Sequence, residues 1–132
     1  MLLRLAAGGF LLPHGLGKLF GWFGGPGLSG FADELRGFSL PAPAPLPLLL
    51  AAMQTLAGLC VVFGLFTTFA AAIGGAFLVT TAALNRGHGW FWMHGGMEYP
   101  LLWTVTLVVV ALLGGGQWSL DALLLDRVGA VP

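Results

Sequence analysis

The sequence predicts an all-α integral membrane protein: a bundle of four spanning helices with short interfacial helices in the first loop and at the C-terminal end. Three observations carry that expectation. Of 132 residues, 58% are hydrophobic and only 8% are charged, whereas a soluble chain carries about 25% charge. Four stretches approach the roughly 20 apolar residues that a spanning helix needs. The 22 glycines are interspersed with Leu, Phe and Ala, not with the Ser, Gln and Glu that mark disordered chains.

The chain reads as one transmembrane domain, residues 1-132, with spans at about 2-23, 46-66, 69-84 and 99-113. Arg4 ahead of an apolar run also allows the first stretch to be read as a cleaved signal peptide. Its length and the lack of a small-x-small site at its end argue for a span instead. Residues 24 to 47 hold GGPG, FADELRGF and the alternating prolines Pro41, Pro43, Pro45 and Pro47, which cannot continue a helix. In FADELRGF, Phe31, Leu35 and Phe38 recur at helical spacing against Asp33, Glu34 and Arg36, so residues 31-38 predict a short helix lying in the membrane interface. The second loop, around Thr67 and Thr68, is so short that spans two and three must form an antiparallel hairpin. Ala70 with Gly74, and Ala71 with Gly75, form small-residue rows that let helix backbones approach closely in lipid. The third loop, NRGHGWFWMHGGMEYP, is glycine-rich and aromatic, and Pro100 falls in a first turn where proline is tolerated. After GGGQW, Ser119 predicts the N-cap of a final amphipathic helix at about 120-128, in whose first turn Asp121 complements the macrodipole.

Several function classes are excluded at this level. Five basic against five acidic residues give no basic footprint for nucleic acid. A lone Cys60 rules out a disulfide framework, a four-cysteine zinc site and a self-contained dithiol centre. Nucleophile triads, phosphate loops and haem-attachment motifs are absent from the sequence, so nothing marks the chain as an autonomous enzyme. Arg4 and Arg127 on one side nearly balance Lys18, Arg36 and Arg86 on the other, and the positive-inside rule assigns no orientation.

The residues that could carry chemistry gather at one end. His14 and Lys18 are four apart on one helix face, and the parity of an up-and-down bundle brings the end of span one beside the start of span four, where Glu98 lies. A Glu98 contact to Lys18 or His14 is therefore expected, since a buried charge without a partner costs several kcal/mol. Such a polar site under the third loop could grip an anionic or quinone head group, or relay protons; the plainer account is a tether between helices. His94 and Glu98 have the spacing of metal ligands if helical, and His14 could join them on iron or zinc. Gly95 and Gly96 break that helix, so the expectation is no metal. His88 reads as an ordinary loop histidine. Trp90, Phe91 and Trp92 suit an aromatic belt at head-group level, or a lid over a quinone ring. Gln54, inside span two, needs a hydrogen bond to a neighbouring helix.

RLAAGGFLLPHGLGKLF, GLCVVFGLFTTFAA, GGMEYPLL and GGGQWSLD, taken in this order along the chain, resemble the successive signatures of the DoxX family of small bacterial membrane proteins. The resemblance implies a four-helix membrane bundle, multipass in the inner (cytoplasmic) membrane, and an association with redox systems. Relatives resemble DoxD-type subunits of thiosulfate to quinone oxidoreductases, and others partner with membrane-associated oxidative-stress proteins. Two positions depart from the pattern. Similar sequences often place a Glu where this chain has Gln54, and an Arg where it has Thr68. Residues and resemblance together lead to an accessory subunit of a quinone-linked redox assembly, in contact with lipid and with other membrane subunits. Quinone is the one candidate cofactor. The alternative is a structural or assembly subunit with no ligand of its own.

Overall fold

A computed structural model of the chain describes residues 1–43 and 45–129. Among the described residues six α-helices follow one another: α1 (Leu2–Phe20), α2 (Gly27–Gly37), α3 (Pro45–Phe63), α4 (Thr67–Leu84), α5 (Glu98–Leu113) and α6 (Leu120–Gly129). The described residues contain no strand. The four longest helices, α1, α3, α4 and α5, pack as an antiparallel bundle in which α1 lies mainly on α3 and α5 mainly on α4. Pro45–Phe63 and Thr67–His88, the latter including a 3₁₀ turn after α4, are long and apolar enough to cross a membrane. The apolar α5 has 16 residues, about 24 Å at about 1.5 Å per residue. That is short of the roughly 30 Å of a bilayer core. α1 has the length, but carries Arg4, His14 and Lys18.

Small residues explain the closeness of α1 and α3. A Cβ built on Gly8 would lie 2.8 Å from the Val62 nitrogen, and one on Gly58 would lie 3.1 Å from the Leu12 Cα, so the two backbones touch where a side chain would separate them. Across the bundle, Gly74 leaves room for Leu11 and Leu107. These contacts enclose a core of Ala7, Leu11, Ala57, Val61, Ala70, Ala71, Leu107 and Val110.

Element ends differ from the sequence expectation for identifiable reasons. The first helix stops at Phe20, not 23, because Gly21 turns left-handed (φ 74°) and its N–H bonds back to the Gly17 carbonyl. A short 3₁₀ turn, Trp22–Gly24, follows. Pro45 and Pro47 open α3 instead of preceding it, since first-turn N–H groups have no intrahelical partner to lose. The hairpin turn falls at Gly64–Phe66, and Thr67 already belongs to α4. The largest difference is α2. It begins at Gly27, and its apolar stripe faces protein: Phe31 and Leu35 are buried with Ala51 of α3, against Leu19 and Phe77. It is a lid on the bundle end, not a helix resting its stripe in lipid.

Alternation of the helices places α2 and the α4–α5 loop at one end of the bundle and the N-terminus, the hairpin turn and α6 at the other. Single cysteines at Gly30 and Trp90 are accordingly expected to react with an impermeant thiol reagent from the same membrane side. Labelling of the two from opposite sides would refute this arrangement.

Candidate functional site

Lys18 is the centre of the polar end. It lies near the end of α1, where its ammonium donates a hydrogen bond to Gln54 Oε1 of α3 at 2.9 Å. The same nitrogen lies 4.8 Å from the ring centre of Phe31 in α2 and 4.6 Å from that of Phe77 in α4. Two aromatic faces and an amide oxygen thus compensate a half-buried cation. Gln54 is 1% exposed, and its expected interhelical partner is this lysine.

A cavity of about 530 Å³ opens beside them, between α1, α3, α4 and α5. His14, Lys18 and Gln54 form its polar end, while Phe10, Phe77, Tyr99 and Trp103 supply aromatic walls. Phe10 and Trp103 stack with ring centres 4.5 Å apart, joining α1 to α5. A mostly apolar pocket with a few convergent polar groups is the usual composition of a small-molecule site.

Five expected site residues fall elsewhere. Glu98 pairs with neither Lys18 nor His14. Among the described residues the sole ion pair is Arg36–Asp33, exposed, at 3.0 Å. Glu98 opens α5 with its backbone N–H on the Trp90 carbonyl, and it is absent from the walls of the cavity. The carboxylate that shares cavity walls with Lys18 is Glu34, brought there because α2 folds back over the bundle. His94 ends a 3₁₀ turn that Gly95 stops at φ 70°, so no helix places it over Glu98. Trp90, Phe91 and Trp92 are exposed, and none of them lines the cavity. The connection of this trio to the cavity is indirect: Trp92 stacks on Tyr99 at 5.9 Å, and Tyr99 is a wall residue.

Among the described residues, no three His, Cys, Asp or Glu side chains gather as a metal-ligand set. Elemental analysis of purified protein should find no stoichiometric iron or zinc. One metal per chain, lost on His94→Ala, would overturn that expectation.

At the opposite end the structure reveals a polar knot that sequence reasoning assigned differently. Arg4, 5% exposed, donates to the Gly115 carbonyl at 2.6 Å and to the Trp118 carbonyl at 2.5 Å. Asp121 accepts the Phe66 N–H at 2.7 Å, the Thr67 N–H at 2.9 Å and the Thr67 hydroxyl at 2.6 Å. It caps α4 across the chain, while Ser119 caps its own helix by accepting the Ala122 N–H at 3.1 Å. Burial pushes the Asp121 carboxyl up, but the hydrogen bonds from Thr67 and Phe66 and the charge of Arg4 outweigh it and hold it below its ordinary value. Arg4 in an otherwise apolar turn was the available signal.

The family comparison covers the first two of the four sequence motifs, and GGMEYPLL lies beyond it apart from Gly95. Neither a curated protein nor a solved structure matches the chain. The DoxX family model matches residues 1–95, a region that holds α1 to α4 with Lys18, Glu34 and Gln54. GGGQWSLD, the segment that the Arg4 knot holds, lies beyond the match. Because the matched region is well over half of the 132 residues, this chain belongs to the DoxX family.

Proposed function

We propose that the protein is a multipass inner-membrane accessory subunit of a quinone-linked redox assembly, and that it holds a quinone head group in the cavity beside Lys18. One observation supports this reading most directly: a space of about 530 Å³ with aromatic walls and a single polar end. A quinone head is a flat ring bearing two carbonyl acceptors. An ammonium has three donors, and Gln54 takes one of them, so donors remain for a carbonyl oxygen. Tyr99 and Trp103 each have one face stacked already, on Trp92 and Phe10, and in this reading the opposite face or the edge of each ring meets the quinone. α1, α3, α4 and α5 all cross the bilayer in this reading, which puts the cavity within lateral reach of a lipid-soluble ligand. Electron transfer would belong to partner subunits.

The second reading, a purely structural subunit, draws on the Lys18–Gln54 hydrogen bond itself, since that bond ties α1 to α3. A lipid extract of the purified protein separates the two. The quinone reading expects co-purified quinone near one per chain, and quenching of tryptophan fluorescence on adding a short-chain quinone. An extract free of quinone together with unchanged fluorescence would leave the structural reading standing.

A further inference from the structure

Two more cavities meet at Lys18 and adjoin the aromatic one, the first sharing Phe77 and Thr81 with it and the second His14. The first, about 430 Å³, lies between α2, α3 and α4, and its wall is mainly apolar, with aliphatic side chains such as Leu50, Met53, Ile73 and Leu84 outnumbering Phe31, Phe38 and Phe77. The second, about 400 Å³, lies under the α1–α2 connection, lined by His14, Trp22, Glu34 and the Gly24–Gly25 backbone. Lys18 and Glu34 are the two residues common to both. One cavity is therefore suited to a chain and the other to a head group, with an ammonium and a carboxylate at the junction. These two charges form no ion pair with each other.

The geometry points to a bound phospholipid whose head joins a phosphate to a primary ammonium, with an acyl chain in the aliphatic cavity and the head in the polar one. Charge complementarity selects a zwitterionic head, and the carboxylate acceptor of Glu34 favours an ammonium with N–H donors over a quaternary one. Lys18 faces the phosphate, and Glu34, exposed and in no ion pair among the described residues, faces the ammonium. An anionic lipid would leave Glu34 next to a like charge, and a cationic amphiphile would do the same to Lys18. Depth agrees as well. Lys18 is two residues from the end of α1, and the exposed rings of Phe20 and Trp22, 4.8 Å apart, stand just beyond it, where aromatic residues mark the membrane interface. The proposal does not depend on quinone occupying the aromatic cavity.

Native mass spectrometry of the full chain in detergent, titrated with phosphatidylethanolamine and phosphatidylglycerol of identical acyl chains, tests it. The wild type should prefer phosphatidylethanolamine by a factor of about five, the contribution of one partly exposed ion pair. Glu34→Gln should bring that ratio to about one. Equal binding of the two lipids by the wild type, tighter binding of phosphatidylglycerol, or a ratio unchanged in Glu34→Gln would each overturn the proposal. Ala76→Phe, which fills the aliphatic cavity, should weaken both lipids together. If that variant fails to fold, short- and long-chain phosphatidylethanolamines on the wild type read the same contact: longer chains should bind more tightly, and indifference to chain length refutes the chain site.

Discussion

Arg4→Met is expected to destabilise the bundle by about 3 kcal/mol, seen as a lower thermal midpoint in detergent by circular dichroism. Methionine keeps most of the apolar stem and removes the guanidinium. Two charge-assisted hydrogen bonds, to the carbonyls of Gly115 and Trp118, are lost at about 1.5–3 kcal/mol each. The Arg4 Nε has no partner of its own among the described residues, which offsets part of that gain and favours the lower end of the range. Arg4→Lys keeps the charge without the planar fork, so it should recover about half of the loss. A change under about 0.5 kcal/mol, the size of an ordinary surface substitution, would show that the knot is not a stabilising element. Asp121 adds a pH signature to the same experiment. Its folded carboxyl lies below its ordinary value of 3.8, so the unfolded chain binds the proton more readily. The stability that Asp121 supplies is complete above that value and is lost as the pH falls through the lower folded one. Asp121→Asn should flatten this acid limb and leave the neutral-pH protein folded, with about 1 kcal/mol lost from the cap.

The helices were legible because each leaves a local mark: an apolar run, a turn residue at its end, a capping serine before α6. What the sequence left open are the contacts made over long separations. Glu98 and Glu34 are both acidic groups near the level of Lys18, and the choice between them depends on whether α2 folds inward. Its stripe of Phe31 and Leu35 fits a lipid surface and a protein groove equally well, and the structure puts it in the groove. Asp121 satisfies the rule for a first-turn acid in its own helix, yet its oxygens serve α4, 54 residues away in sequence. No periodicity records such a bond. Arg4 is an orientation charge by sequence rules, but in the fold it is a buried donor to the C-terminal segment. Gln54 was the polar residue read most nearly in full, since an amide in an apolar helix must find a partner and found one on the adjacent helix.

On the proposed quinone reading, Lys18→Met is expected to weaken quinone binding at least tenfold, on the order of the 1.4 kcal/mol that one lost hydrogen bond to a charged donor represents. The same substitution removes the bond to Gln54 and the contacts with Phe31 and Phe77, so some stability is lost as well, about 1–2 kcal/mol. Those two effects are separable by a second change at the same pair. Gln54→Leu breaks the α1–α3 hydrogen bond while freeing the ammonium, so a lysine that only tethers the helices predicts similar stability losses for both variants and no effect on any ligand. A lysine that holds a quinone carbonyl predicts a large binding loss in Lys18→Met and a smaller one in Gln54→Leu. Glu98→Gln provides the control, because that carboxylate lies outside the cavity walls and its loss should leave the affinity unchanged. Fluorescence titration of the three variants with one short-chain quinone gives the comparison. If Lys18→Met binds as tightly as the wild type while Glu98→Gln does not, the site lies under the α4–α5 loop and not in the cavity beside Lys18.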